Sequence, residues 1–290
     1  MDFWYNNDIH NIGGLLMNVE NNYILKNGVS IPAIGFGTWQ IPNGKEAYES
    51  TLIAIKNGYR HIDTAAAYGN EESVGQAIKD SKIKRDEIFI TSKLKAELKG
   101  YHTAKMEFAK TIERLGVDYL DLYLIHAPKP WNVHSDGTEY TEQNIETWKA
   151  FIELHQEGKI RAIGVSNFRP EHLKPLIEAT GFVPHVNQIF LCPGATQKVT
   201  VDYSKPLGIL TEAYSPFATG RLFKVEIMQQ MAEKYQKSIA QIAVRWSLQR
   251  GFLPLPKSVT PERIMNNFQV WDFEIAENDL EIIDNIQLPW

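Results

Sequence analysis

The sequence predicts an α/β protein: a (β/α)8 barrel, or TIM barrel, with an N-terminal β-hairpin closing the bottom. Three observations predict it. Eight short apolar runs alternate with amphipathic segments along the 290 residues. The patterned part, from about residue 20 onward, fits the roughly 250 residues that such a barrel takes. The rival fold, an open doubly wound sheet, carries a G-x-G-x-x-G turn after its first strand. Here Gly35-Phe36-Gly37 runs on into Thr38-Trp39-Gln40, and the third glycine is missing.

The elements follow in order. Residues 1–16 have no Lys or Arg, no apolar core and no small-residue cleavage site, so they do not read as a secretory signal. They read either as a short extension with Phe3, Trp4 and Tyr5 docked on the body, or as translated leader. In the second reading Ile12-Gly13-Gly14 is encoded by a ribosome-binding sequence and the protein starts at Met17. Residues 17–290 are expected to form a single domain. Asn27-Gly28, between two β-prone runs, predicts the hairpin. Barrel strands are predicted at 33–37, 59–63, 88–93, 120–126, 160–166, 186–189, 209–214 and 252–256. Helices are predicted at 45–56, 72–80, 103–115, 144–157, 170–178, 225–235 and 239–249. Gly58, Gly116 and Gly158 punctuate three of their ends.

Composition narrows the function. Thirty basic against 35 acidic residues give a net charge of −5, which argues against nucleic acid as the main partner. One cysteine, Cys192, allows no internal disulfide and fits a reducing cytoplasm. No apolar run reaches the roughly 20 residues of a membrane-spanning helix.

Active sites of such barrels lie at the C-terminal ends of the strands. Here those ends carry Thr38, Asp63, Lys93, His126, Ser166-Asn167, Gln188, Tyr214-Ser215 and Lys257-Ser258. Asp63, Tyr68, Lys93 and His126 in one pocket would make a proton-transfer set. A tyrosine alone is a weak acid at neutral pH. A lysine cation beside it favours tyrosinate and lowers its pKa, and an aspartate keeps that lysine in place and charged. A histidine can hydrogen-bond a substrate oxygen. The set suits protonation of an oxygen that becomes an alkoxide. It contains no activated Ser or Cys, and His126 with Asp63 is too few for a catalytic zinc. Taken singly, each residue has a bland reading as a cap, loop, packing or core residue. Four together at the strand ends of one barrel do not.

Thr260-Pro261 reads as a helix start, with Thr as N-cap and Pro at the first helical position. Lys257 and Ser258 precede it, and Arg263 falls in its first turn. A helix N-terminus flanked by Lys and Arg is a phosphate site.

At these residues the chain resembles the aldo-keto reductase superfamily. The resemblance runs from about residue 23 to 290. It rests on Gly35-Phe36-Gly37-Thr38-Trp39, the stretch from Gly58 through Asp63 and Tyr68 to Glu71, and Thr91-Ser92-Lys93-Leu94. It continues through 120–126, 164–168, Asn187-Gln188, 213–216 and 256–263. The short C-terminus resembles that of bacterial members such as diketogluconate and methylglyoxal reductases. The resemblance implies carbonyl reduction by NADPH without a metal, with Asp63, Tyr68, Lys93 and His126 as the catalytic tetrad. It makes Tyr68 the general acid. It implies cofactor contacts at Gly37, Thr38, Asp63, Ser166, Asn167, Gln188 and Tyr214. The loop Ser215, Pro216, Phe217 to Gly220 would cover the pyrophosphate. Lys257, Ser258, Val259, Thr260, Arg263 and Asn267 would hold the far end, including the 2′-phosphate. Trp39, Tyr68, His126 and Trp131 would contact substrate.

Two departures stand out. Asn266 replaces a Glu that many relatives place before the adenine-contacting Asn. Ala127 replaces a Trp that commonly follows the histidine, with Trp131 a candidate substitute. The implied partner is a small carbonyl compound, with no nucleic acid or membrane, and the expected state is a cytoplasmic monomer. The alternative is a noncatalytic NADPH-binding protein on the same fold.

Overall fold

The computed structural model describes residues 10–12, 15–17 and 21–289. Phe3, Trp4 and Tyr5 lie outside the described residues. A four-stranded antiparallel sheet comes first, in the order β1 (His10–Ile12), β2 (Leu15–Met17), β3 (Asn22–Ile24) and β4 (Ser30–Pro32). β3 and β4 are the hairpin predicted from Asn27-Gly28, with Tyr23 opposite Ile31. Gly28 turns at φ 82°, in the left-handed region that glycine enters at no steric cost. The Asn27 carboxamide accepts from Val29 N at 3.2 Å.

The hairpin sits on the bottom of the barrel. Asn27 Nδ2 donates to the Arg161 carbonyl at 2.9 Å, beside the start of a barrel strand. Tyr23, fully buried, donates its hydroxyl to the Phe252 carbonyl at 3.2 Å.

The barrel has eight parallel strands: β5 (Phe36–Gly37), β6 (His61–Asp63), β7 (Phe89–Leu94), β8 (Leu120–Ile125), β9 (Ile160–Ser166), β10 (Val186–Phe190), β11 (Leu210–Tyr214) and β12 (Leu253–Leu255). Each pairs with its neighbour in sequence order. The seam between first and last is closed by Gly35 N to Pro254 O and Gly37 N to Pro256 O, both 3.1 Å. Side chains are excluded there. A Cβ on Gly35 would lie 2.5 Å from Leu255 Cδ2, and one on Gly37 would lie 3.1 Å from the Leu255 carbonyl oxygen.

The helices are α1 (Lys45–Lys56), α2 (Glu71–Asp80), α3 (Tyr101–Leu115), α4 (Thr141–Gln156), α5 (Pro170–Thr180), α6 (Lys198–Ser204), α7 (Glu226–Tyr235), α8 (Ile239–Gln249), α9 (Pro261–Phe268) and α10 (Glu277–Asp284). Ser238 caps α8 in a reciprocal box with Gln241. Gly116 ends α3 in the left-handed conformation. α2 packs on the end of α3 so closely that a Cβ on Gly75 would stand 2.1 Å from the Leu115 carbonyl oxygen. The helices α6 and α10 were not predicted.

Trp148, Phe151 and Tyr123 fill the space between α4 and the barrel wall, all fully buried. Each such side chain contributes about 1.5–3 kcal/mol by leaving water. A second cluster around Met228, Ile242, Trp246 and Ile283 fastens α7, α8 and α10 together. None of the described helices is long and apolar enough to cross a membrane.

Candidate active site

A cavity of about 750 Å³ opens at the C-terminal ends of the strands. Asp63, Tyr68 and His126 line it together with Trp39 and Trp131, and Lys257, after β12, lines it too. Asp63 is the last residue of β6, and Tyr68 follows in a short 3-10 turn, Ala66–Tyr68. Lys93 lies near the end of β7, fully buried. His126 follows β8 directly.

Lys93 ties the group together. Its ammonium donates to both carboxylate oxygens of Asp63, at 2.7 and 2.8 Å. It also donates to the Thr64 carbonyl at 2.9 Å and to the Tyr68 hydroxyl at 3.3 Å. Burial alone lowers the pKa of the ammonium. The Asp63 carboxylate and Tyr68 outweigh that, so the pKa of Lys93 stands above the ordinary lysine value.

Tyr68 differs from the sequence expectation of a lowered pKa. Burial raises the phenol and outweighs the downward pull of Lys93, so the hydroxyl stands above its usual value. Its acid form is the resting form. Burial and the nearby Lys93 charge push His126 down to about 3, so its ring is neutral. The imidazole stands edge-on to Tyr68 with ring centroids 5.6 Å apart. Its Nδ1 is buried with no hydrogen-bond partner among the described residues.

The floor is a chain of side-chain hydrogen bonds. Ser166 Oγ donates to the Gln188 carbonyl oxygen of the backbone at 2.8 Å. Asn167 Nδ2 donates to Ser166 Oγ and to the His126 backbone carbonyl, both at 3.0 Å. Asn167 holds φ 63°, a left-handed turn that Asn tolerates better than most residues. Its Oδ1 accepts from the Tyr214 hydroxyl at 2.8 Å, which pins that ring against the cavity. Gln188 Nε2 bridges two acids, Asp63 Oδ2 at 2.9 Å and Glu212 Oε2 at 2.8 Å.

After β11 the chain makes a tight loop. Ser215, Ala218 and Thr219 all take positive φ near 50°, and Gly220 takes 95°. Three non-glycine residues in that region mark a backbone held by its surroundings, as at ligand clamps. Ser215, Pro216, Phe217 and Gly220 line the cavity.

Of the other expected site residues, Gly37 lines the cavity, but Thr38 does not. Thr38 is fully buried, and its hydroxyl donates to the Asp63 backbone carbonyl at 2.9 Å, so it braces β6. Ser258, Val259, Thr260 and Arg263 lie beyond Lys257 around the start of α9, outside the lining. Thr260 is the N-cap residue and Pro261 is the first helical residue, yet the cap hydroxyl makes no cap bond. Ser258 Oγ accepts from Thr260 N at 3.1 Å instead. Arg263 is exposed, while Asn267 is buried and Asn266 half-buried.

Ala127 is buried, and Trp131 stands edge-on to His126 at 5.5 Å. The indole, 53% exposed, thus lines the cavity beside the histidine. Sequence reasoning missed Gln40, Ala67, Phe223 and Leu255 in the lining, whereas Thr219 falls inside the loop expected over the pyrophosphate. It also missed Glu212, for which an acidic residue in the middle of a buried barrel strand was the available signal. Cys192 is fully buried, and burial pushes its thiol up to about 12, the signature of an inert packed cysteine.

A sequence profile described as "Aldo/keto reductase family" matches residues 33–288. The chain belongs to the aldo/keto reductase family. It is 47% identical over 260 residues to glyoxal reductase of Bacillus subtilis, covering 90% of each chain. The solved aldo/keto reductase of Brucella melitensis is 43% identical with a TM-score of 0.84, over 91% of this chain and 98% of that one. The Bombyx mori aldo-keto reductase, solved in complex with NADP, is 32% identical with a TM-score of 0.81, over 91% of each chain.

The residues of this aldo/keto reductase fit a nicotinamide cofactor. Tyr214 offers a flat, half-buried ring beside the hydroxyl and amide groups of Ser166 and Asn167. Their own donors are engaged, but Ser166 Oγ and Asn167 Oδ1 keep lone pairs that can accept from a carboxamide N–H, which beside the flat ring suits a planar carboxamide-bearing ring. The glycine at 220 has nothing within 4 Å of where a Cβ would be, so the turn leaves open space. Lys257 supplies positive charge at the cavity wall ahead of the α9 N-terminus.

Proposed function

We propose that this protein reduces aldehydes and ketones to alcohols with NADPH, and that Tyr68 is its general acid. The observation that carries the reading is the Lys93 ammonium, bonded at once to the Asp63 carboxylate and to the Tyr68 hydroxyl on the cavity wall. The names of the Bacillus glyoxal reductase and the Bombyx NADP complex support it.

When bound, the nicotinamide supplies the hydride. The chain's own residues handle the proton. Tyr68 enters the reaction protonated and gives its proton from Oη to the substrate oxygen as charge develops there. The tyrosinate left behind faces the Lys93 ammonium at 3.3 Å, which stabilises it. Asp63 keeps that ammonium charged and aimed. The neutral His126 ring orients the substrate oxygen by a hydrogen bond without adding charge. Trp39 and Trp131 exclude water at the mouth. Lys257, Ser258 and Arg263, with the start of α9, hold the 2′-phosphate. Asp63, Ser166, Asn167, Gln188 and Tyr214 surround the nicotinamide end.

The test follows reduced-cofactor absorbance with methylglyoxal, a simple aromatic aldehyde and a diketo sugar acid, each with NADPH and with NADH. Turnover with NADPH well above that with NADH is expected. Binding of NADPH without turnover of any carbonyl would overturn the enzymatic reading. Arg263→Ala is expected to weaken NADPH by about tenfold, the size of one charge-assisted hydrogen bond, and NADH hardly at all. Equal losses would place the phosphate elsewhere.

A further inference from the structure

A second acid lies behind the tetrad, and the mechanism above does not use it. Glu212 sits in the middle of β11, fully buried, beside Gln188 in the register of β10. Its Oε2 accepts from Gln188 Nε2 at 2.8 Å, and the same nitrogen donates to Asp63 Oδ2 at 2.9 Å. One amide group therefore spans two carboxyl groups. The far oxygen, Oε1, has no hydrogen-bond partner among the described residues.

The charge balance around it is lopsided. From β6 it faces Asp63 and His61, and from β7 Lys93. β10 offers the uncharged Gln188, and β12 offers only Leu253, Pro254 and Leu255. The Lys93 ammonium is already matched by Asp63, which takes two of its bonds. His61 Nε2 stands 4.0 Å from Glu212 Oε1 but is engaged with Thr91 Oγ1 at 2.9 Å. Burial and the Lys93 charge push His61 down to about 3, so that ring is neutral too. A carboxylate at Glu212 would be a buried charge without a counter-ion, which is strongly disfavoured.

We propose that Glu212 is a positioning residue, held as a neutral carboxylic acid, that anchors Gln188 and through it orients Asp63 beneath Lys93 and Tyr68. The proposal rests on the proposed role of Tyr68. Burial, with the Asp63 charge adding to it, pushes the Glu212 acid up to about 8, in keeping with the geometry. A neutral acid leaves Asp63 as the sole negative charge opposite Lys93. A second carboxylate would raise the Tyr68 pKa further and make its proton harder to give up.

Two measurements test this. The first is the infrared difference spectrum of wild type minus Glu212→Gln at neutral pH. A protonated carboxylic acid band, lost as the pH is raised past about 8, is expected. A carboxylate band in its place overturns the proposal. This arm needs no turnover, so a failure of the Tyr68 reading cannot mask or mimic it. The second compares kcat and KM of E212L and E212Q with NADPH and methylglyoxal. E212L removes the anchor at similar volume and is expected to lose about tenfold in kcat, the low end for loss of an orienting group, with little change in KM. E212Q keeps an acceptor without charge and is expected to rescue most of that loss. A wild-type kcat in E212L, or a loss confined to thermal stability, leaves Glu212 a packing residue and overturns the proposal. An E212Q as impaired as E212L overturns the neutral-acid role.

Discussion

Tyr68 and Lys93 share one hydrogen bond of 3.3 Å, and the same ammonium holds both oxygens of Asp63. The phenol is thus poised against a fixed positive charge that cannot drift away. Tyr68→Phe keeps the ring and removes only the proton donor. Turnover is expected to fall by a hundredfold or more, about the lower range of general acid catalysis. NADPH binding, read by quenching of protein fluorescence, should persist. A variant that still turns over at the wild-type rate would transfer the acid role to another group.

The pH profile follows from two protonation states. His126 is neutral above about 3, and Tyr68 keeps its proton to above the ordinary tyrosine value. Neither group changes charge near neutrality. The kcat for reduction is therefore expected to stay flat between about pH 5 and 7.5. A sharp inflection near the usual histidine value would mean that His126 titrates in the working enzyme. The reverse reaction needs tyrosinate, so alcohol oxidation should rise with pH throughout.

Much of this site was legible in the residues. Asp63, Lys93 and His126 announce themselves because each is an ionisable group closing an apolar run, and the barrel converts run ends into a common rim. The sign of the Tyr68 shift was not legible. The pull of Lys93 can be read from neighbouring charges, but the opposing burial depends on how the folded chain encloses the ring. Thr38 shows a similar limit, since only the fold reveals that its hydroxyl is already bonded to Asp63. The helix Glu277–Asp284 was missed because Ala276 stands at its N-cap, where a sequence reader seeks Ser, Thr, Asp or Asn.

Lys99 gives a stability prediction. Its ammonium donates to the Ala127 carbonyl at 2.9 Å and to Asn144 Oδ1 at 2.8 Å, holding the segment next to His126. Burial pushes it down to about 7. Between that pH and about 10, the unfolded chain binds a proton that the folded chain does not. Stability from this group therefore rises with pH across that window. Urea unfolding at pH 7 and pH 9 should show wild type gaining on Lys99→Gln. Parallel behaviour of the two proteins would show that Lys99 stays charged.

Gly75 sets two effects against each other. Alanine gains about 1 kcal/mol of helix propensity over glycine. Here its Cβ would stand 2.1 Å from a backbone oxygen of Leu115, which no rotamer change relieves. Overpacking of that kind costs about 1–3 kcal/mol and more when backbone must move. Gly75→Ala is expected to lower the Tm by several degrees in a thermal melt. A raised Tm would mean that α2 and α3 separate at little cost.

The seam at Gly35 and Gly37 reaches across almost the whole chain to Pro254 and Pro256. A ribosome makes those partners more than two hundred codons apart. Until the last strand leaves the exit tunnel, the growing sheet is an open ribbon with one bare edge at Phe36 and another at its newest strand. Bare edges invite pairing with other chains. Tyr23, which grips the Phe252 carbonyl, waits equally long for its partner. The nascent protein is therefore most vulnerable to self-association late in synthesis, and chaperone demand should peak just before release rather than at the emergence of the hairpin.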